Sequence, residues 1–319
     1  MSIPFSLTIS HVRFMATAGA ASLLMAGCSV NHENRSANPA TVPPSPTLLA
    51  TVDLRLPIEK YLFSDSEAKT IRRAKIILLQ NCMRSFNVSY DFGTPAPDLG
   101  PRSLMDRRYG VTDALMAQAH GYHLGARDPR THIVTPPAPP AGEALTVLTG
   151  SPRPAEDGKN SHHAPTSAPL KVNGKIVSPR GCAGEADAKL AKKDAAESGD
   201  LAQDLNGQSF IAAKKDARVL EVFHSWSKCM KGKGYSYPDP LAAMDDRKFR
   251  GSKPIPEELK VAPADIECKK QTNLVSVWFT VETSLQRGLL DKYEKQLTPI
   301  LSNKNNQLAA AASVIKSSK

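Results

Sequence analysis

The chain has 319 residues, a formal net charge of +10, only 6% aromatic residues and 25 prolines. This length allows one large domain or two small ones. The longest apolar run, from Phe14 to Ala26, is shorter than the roughly 20 residues of a membrane-spanning helix, which disfavours an integral membrane protein. The sequence has no nucleic-acid-binding motif, and its basic charge predicts either an anionic partner of another kind or simply a basic surface without a specific ligand.

The N-terminal segment has the pattern of an exported precursor. Arg13 precedes the apolar run, and the small residues Ala26 and Gly27 lead into Cys28. This junction resembles the bacterial lipobox, although that motif usually has leucine where Met25 stands. The resemblance implies a lipoprotein signal peptide over residues 1–27, palmitate-type lipidation of Cys28, and anchoring at the outer face of the cell membrane. An ordinary cleaved signal peptide is the alternative.

Proline-rich stretches divide the rest of the chain. Residues 28–57 are rich in Ser, Asn, Pro and Thr and predict a flexible tether. Residues 58–319 predict a mainly α-helical domain, which a long proline-rich loop interrupts at 126–169.

Two helices are predicted before the middle of the chain. Ser64 and Glu67 form a capping-box pattern, and an apolar stripe that includes Cys82 then recurs at helical spacing. A short helix is predicted from Thr112, as the N-cap, to His120, with Gly121 as its stop.

The second half begins with a predicted hairpin, because Asn173 and Gly174 supply a tight turn between two short apolar runs. A charged helix is predicted over 185–197. A long amphipathic helix follows over 208–230, and another runs from Asp265, as its N-cap, to Leu297, with Pro299 ending or kinking it.

Four cysteines remain besides Cys28, and an even number outside the reducing cytosol predicts two disulfides. They are Cys82, Cys182, Cys229 and Cys268. Four cysteines allow three pairings. Both Cys82 and Cys229 begin a Cys-Met-basic pattern at the end of an amphipathic helix, a similarity that chance could also produce. If each helix end is cross-linked separately, the expected pairs are Cys82 with Cys268 and Cys182 with Cys229.

The second half carries a longer pattern. Trp226, Cys229 and Met230 are followed by a segment in which Asp265, Cys268 and Lys269 lead to Trp278, and Tyr109-Gly110 and His120-Gly121-Tyr122 occur earlier. This pattern resembles uncharacterised actinobacterial secreted or lipid-anchored proteins. The resemblance implies no reaction and no functional residue.

Candidate chemistry is sparse. His120 and His123 are spaced like metal ligands but lack a third partner, so a packing role is favoured. His224 and Cys229 do not share a helix face, and no serine-hydrolase elbow or phosphate-binding glycine loop occurs. The aspartates near residue 240 have no distinguishing context. The aromatic residues of the apolar stripes, Trp226, Tyr235, Tyr237 and Trp278, favour a core role over a binding groove.

These observations favour a lipid-anchored envelope protein with a non-enzymatic binding or scaffolding role. No catalytic residue, cofactor or metal is assigned. The expected partners are the membrane, through the lipid, and an anionic envelope polymer or another envelope protein. An envelope hydrolase with a site assembled from distant residues and a thiol-redox or metal protein are the alternatives.

Overall fold

The computed structural model describes residues 51–93, 97–133, 135–151, 169–191 and 199–318. These residues form ten α-helices and one antiparallel hairpin, which confirms the predicted fold class of a disulfide-cross-linked, mainly helical protein. The helices are α1 (Asp65–Ser85), α2 (Ala114–His120), α3 (Gly142–Thr149), α4 (Gly181–Leu190), α5 (Gly199–Lys215), α6 (Ala217–Gly232), α7 (Pro240–Met244), α8 (Glu258–Thr272), α9 (Leu274–Lys292) and α10 (Glu294–Ser317). Among these described helices, none combines the length and the apolar character that crossing a membrane requires.

Local capping chemistry sets the starts of α1 and α2. Ser64 Oγ accepts a hydrogen bond from the Glu67 amide, and Glu67 accepts one from the Ser64 amide, as the capping box predicts. Helix α2 begins one residue later than expected, with Asp113 as its N-cap. The predicted cap, Thr112, instead has its hydroxyl 3.0 Å from that of buried Thr51.

Two predicted long helices are divided in the structure. The 208–230 helix is two helices, because Asp216 adopts an extended backbone and caps α6 by accepting from the Arg218 amide. The helix expected from Asp265 is three helices, separated at Asn273, with a left-handed φ of 53°, and at Tyr293. Pro299 lies inside α10 and does not end it.

The middle of the chain contains more helix than its prolines suggest. Helix α3 lies inside 126–169, where a loop was expected, and it forms because Thr146 and Val147 are buried on one of its faces. Residues 152–168 of that stretch lie outside the described residues. Helix α4 covers only the first part of the expected 185–197 helix and starts earlier, whereas residues 192–198 are not described.

The hairpin pairs β1 (Lys171–Val172) with β2 (Lys175–Ile176), as predicted. Its turn residues Asn173 and Gly174 have φ values of 50° and 76°, the positive angles that such a tight turn needs.

The two disulfides join Cys82 to Cys182 and Cys229 to Cys268. The predicted presence of two disulfides is confirmed, but the predicted pairing is wrong. In each pair the Cα atoms are 5.7 Å apart, so the packing of α1 against α4 and of α6 against α8 selects the partner.

The repeated Cys-Met-basic pattern has one backbone geometry at both sites. The Val88 amide donates to Met83 O at 3.1 Å, and the Tyr235 amide donates to Met230 O at 3.0 Å. The preceding residue is left-handed in both cases, with φ of 55° at Asn87 and 89° at Gly234. Both helices therefore end in a Schellman motif one turn after a disulfide cysteine.

The buried apolar residues form one large cluster and two smaller ones. The large cluster contains 26 buried residues, mainly from α5, α6, α8 and α9 around Trp226 and Trp278. A second cluster of nine joins the end of α1 to α3, the hairpin and α4. Three further residues, Ala74, Leu190 and Ala311, connect α1, α4 and α10.

Candidate functional site

A buried ion pair lies at the centre of the large cluster. Lys269 Nζ donates to Asp265 Oδ2 at 2.9 Å and to Val111 O at 2.7 Å, and neither side chain is exposed. Trp226 Nε1 donates to Asp265 Oδ1 at 2.9 Å. Burial raises the pKa of Asp265 and lowers that of Lys269, because an apolar surrounding disfavours both charged forms.

The prediction that Asp265 is a helix N-cap is therefore wrong, because its carboxylate faces the core from the middle of α8.

Gly110 leaves room for the side chain of Lys269. It has a φ of 79°, and a Cβ at this position would lie 2.7 Å from Lys269 Nζ.

His123 forms a second internal charge cluster. Its Nδ1 is 3.1 Å from Asp128 Oδ2, its Nε2 is 3.4 Å from Glu258 Oε2, and all three residues are at most 2% exposed. Glu258 also accepts from the Tyr122 amide at 2.7 Å. The hydrogen bonds from Arg130 hold the pKa of Asp128 well below its usual range.

Glu282 is the centre of a third cluster, which ties α9 to the loop before α2 and to α5. It accepts from Arg108 and, at 2.8 Å, from the hydroxyl of Tyr109. Its Oε1 lies 3.4 Å from Ser209 Oγ. Burial, followed by the neighbouring charge of Glu282, raises the pKa of Tyr109.

These internal charges do not line the cavities along α1. Asp265, Lys269, Glu258 and Glu282 are fully buried, and their hydrogen-bond partners lie mainly in the loops that pack against α8 and α9. Buried ionic groups of this kind orient the elements that carry them, and a substrate in solution cannot contact them. We therefore interpret the three clusters as structural interactions that fix how the helices and loops pack together.

A surface concavity lies along the first half of α1, between this helix and the loop 97–104. It has an apolar lobe of about 610 Å³ and a polar lobe of about 570 Å³. Asp65, Lys69, Asp98 and Arg127 line both lobes. We call the two lobes together the α1 groove.

An ion-pair bridge crosses the boundary between the lobes. Lys69 Nζ lies 2.5 Å from Asp98 Oδ1, and Arg127 Nη1 lies 3.9 Å from Asp98 Oδ2. The Lys69 hydrogen bond and charge lower the pKa of Asp98. Arg127 is itself held in place, because its Nε donates to Gly100 O at 2.9 Å.

The lining of the α1 groove is strongly basic. Three carboxylates, Glu59, Asp65 and Asp98, face six cationic side chains, which are Arg55, Lys69, Arg72, Arg73, Arg102 and Arg127. Four of these cations have ion-pair partners: Arg55 with Glu59, Lys69 and Arg127 with Asp98, and Arg102 with Asp106. Within the described part of the chain, Arg72 and Arg73 have none, and both are exposed. The groove thus has two guanidinium groups available for an external anion.

Glu59 is the one groove carboxylate whose pKa is raised, chiefly by burial. Its Oε1 accepts from the Leu56 amide at 2.7 Å, and its Oε2 lies 3.8 Å from Arg55 Nε. Glu59 is the N3 residue of the short 3₁₀ helix Pro57–Tyr61, and its hydrogen bond from the N-cap amide of Leu56 accounts for its position.

The residues that the sequence singled out lie mostly elsewhere. Trp226 and Trp278 are fully buried, as predicted, and Tyr235 and Tyr237 are half-buried against the same cluster. His123 is buried, and the ring of His120 packs where Gly125 has no side chain. Cys28 lies outside the described residues.

The structure also places the remaining candidates. His224 is exposed, and Cys229 is in a disulfide. Asp239 caps α7, while Asp246 caps a 3₁₀ turn and accepts from Tyr237. The described residues contain no group of three side chains arranged to hold a metal ion.

Sequence reasoning assigned no binding role to any residue of the α1 groove. The signal was present in α1, where Arg72 and Arg73 each precede an isoleucine by four residues. This spacing places Ile76 and Ile77 one helical turn beyond the two arginines.

Comparison with known protein families, with curated proteins and with solved structures finds no match. The resemblance to actinobacterial envelope proteins stays a prediction. The residues that carry it now have a structural role, because Trp226, Asp265, Lys269 and Tyr122 belong to one buried network.

Proposed function

We propose that this protein is a lipid-anchored, non-enzymatic binding protein at the outer face of the cell membrane, and that its α1 groove receives an anionic partner. The groove lining carries the proposal, with six cations against three carboxylates and with Arg72 and Arg73 unpaired among the described residues. Charge of one sign in a concave surface concentrates ligands of the opposite sign.

Two observations support the location. Cys28 follows a signal-peptide-like segment, and the other four cysteines lie in disulfides, which persist in oxidising compartments. The charge of the mature chain agrees with an anionic partner, since removal of residues 1–27 takes away only Arg13 and leaves +9 of the original +10. An anionic membrane or envelope polymer would therefore attract this protein.

The anchor is tested by comparing the wild-type precursor with a Cys28→Ala chain in which residues 28–319 follow an ordinary signal peptide that is cleaved without lipidation. We expect the wild-type protein to be recovered with the membranes and the Cys28→Ala protein to be released from them, because one or two acyl chains supply the binding. Mass spectrometry of the wild-type N-terminus checks for the lipid. Membrane recovery of both forms at the same level, with an unmodified Cys28, would contradict the anchor.

The groove is tested on residues 28–319 with Cys28→Ala, the predicted mature chain, so that neither the lipid nor the apolar Phe14–Ala26 run contributes to vesicle binding. Replacing Arg72 and Arg73 together by glutamine should weaken binding to phosphatidylcholine vesicles that contain phosphatidylglycerol. A loss of roughly 1 kcal/mol per arginine gives a decrease of about 30-fold. Vesicle cosedimentation measures the affinity, which should also fall as salt is raised.

The matched control is Arg247→Gln with Arg287→Gln, which makes the same charge change at exposed positions outside the groove. We expect this pair to lower the affinity by less than threefold, an effect of screened surface charge. An equal loss in both double variants would show that overall charge attracts the vesicle, and the groove would lose its proposed role.

A further inference from the structure

The apolar lobe of the α1 groove indicates the class of ligand more closely, if the proposed anion-binding function is correct. Its apolar surface comes from Ala68, Ile76 and Ile77 on α1 and from Leu99 on the facing loop. These side chains are half-buried, so a ligand can contact them without unfolding the helix. Phosphate or a hydrophilic polymer would leave these apolar side chains in contact with water. A hydrocarbon chain would remove them from water.

The two arginines that lack ion pairs among the described residues line this same lobe. Arg72 and Arg73 stand one helical turn before Ile76 and Ile77, so α1 presents a cationic turn followed by an apolar turn. A ligand that contacts both turns carries an anionic group close to a hydrocarbon chain, as a lysophospholipid does.

The boundary between the two lobes is polar, and its carboxylate already has cationic partners. Asp98 is bound by Lys69 and Arg127, so this bridge separates the apolar lobe from the polar one. Asp98 neutralises part of the charge of the bridge cations. Arg72 and Arg73 are therefore the stronger anion site.

The volume of the lobe is comparable to that of one acyl chain. If a methylene takes about the liquid volume of a water molecule, roughly 30 Å³, a lobe of about 610 Å³ holds about 20 such groups. This is enough for one long acyl chain.

We infer that the α1 groove binds an anionic single-chain lipid, with the anionic headgroup at Arg72 and Arg73 and the acyl chain against Ile76, Ile77 and Leu99.

The test uses the predicted mature chain, residues 28–319 with Cys28→Ala, and lysophosphatidylglycerol, titrated below its micelle concentration and followed by calorimetry. Palmitoyl lysophosphatidylglycerol should bind, and the lauroyl form, which is shorter by about four methylenes, should bind at least about tenfold more weakly. Glycerol phosphate, which has the headgroup without a chain, should bind more weakly still. Palmitoyl lysophosphatidylcholine tests the need for a net negative charge and should also bind at least tenfold more weakly.

Two variants test the position of the chain. Ala68→Phe fills the apolar lobe without changing charge, and Leu99→Ser removes apolar surface from the loop side, where no helix depends on it. Each variant should bind palmitoyl lysophosphatidylglycerol at least about fivefold more weakly than the unsubstituted groove does. Ala212→Phe, at an exposed position of α5 outside the groove, is the matched control and should leave the affinity unchanged. Thermal unfolding checks that the variants fold.

The outcomes separate this inference from the proposed function. Equal affinity for both chain lengths, equal affinity for the phosphatidylcholine analogue, or no effect of either lobe variant would overturn the lipid inference. If anionic vesicles still depend on Arg72 and Arg73 in that case, the proposed function survives with a headgroup or polymer as ligand. If vesicle binding does not depend on these arginines, the proposed function fails as well.

Discussion

Replacing Lys269 by methionine is expected to lower the free energy of unfolding by about 3–5 kcal/mol, because it leaves the fully buried Asp265 carboxylate without its cation. The Trp226 and Tyr122 hydrogen bonds to Asp265 would remain, but neither brings a positive charge. The carbonyl of Val111 would also lose its donor. Urea unfolding with the disulfides intact measures the effect.

Lys233→Met is the matched control for this prediction. Lys233 lies 2.7 Å from Glu267 on the surface of α8, and exposed ion pairs of this kind contribute about 1 kcal/mol or less. A second variant, Lys269→Met with Asp265→Asn, removes both charges and should recover part of the lost stability. If Lys269→Met costs no more than Lys233→Met, the buried pair does not have the structural role that we assign to it.

Removing either disulfide should lower the free energy of unfolding by several kcal/mol. The two removals should loosen different regions of the protein. The cross-linked residues are separated by 39 positions in Cys229–Cys268 and by 100 in Cys82–Cys182. Loop-closure entropy predicts losses of about 4 and about 5 kcal/mol respectively. The double alanine variants and urea unfolding test these values.

Hydrogen exchange should distinguish the two variants. Cys82–Cys182 holds a cluster of only nine buried residues, so its removal should expose the amides of α3, the hairpin and α4 while α8 and α9 stay protected. Cys229–Cys268 lies in the cluster of 26, and its removal should instead lower protection across α6, α8 and α9. The same exchange pattern in both variants would contradict the separation of the cluster of nine residues from the cluster of 26.

The elements that sequence reasoning predicted correctly depend on contacts between near neighbours. The Ser64–Glu67 capping box, the Asn173-Gly174 turn and the Gly121 stop each involve residues a few positions apart. These elements can therefore be predicted without knowledge of the tertiary packing.

The errors in helix boundaries have a different origin. The apolar periodicity continues across Asp216 and Asn273, because the helices on both sides of each break pack against the same core. Periodicity therefore predicted one long helix where a local cap or a left-handed residue divides it. Asp265 resembled an N-cap after Pro263, and only the position of Lys269, Trp226 and Tyr122 around it reveals a buried acceptor.

The amino-acid sequence by itself determined the helical class, the hairpin, the presence of two disulfides and the basic charge, because composition, short-range spacing and cysteine number specify these properties. Only the tertiary structure decided which cysteines pair, which charges are buried and where the cations of α1 meet an apolar wall. These features join residues that are far apart in the chain. Their proximity follows from the packing of whole helices, which no local pattern encodes.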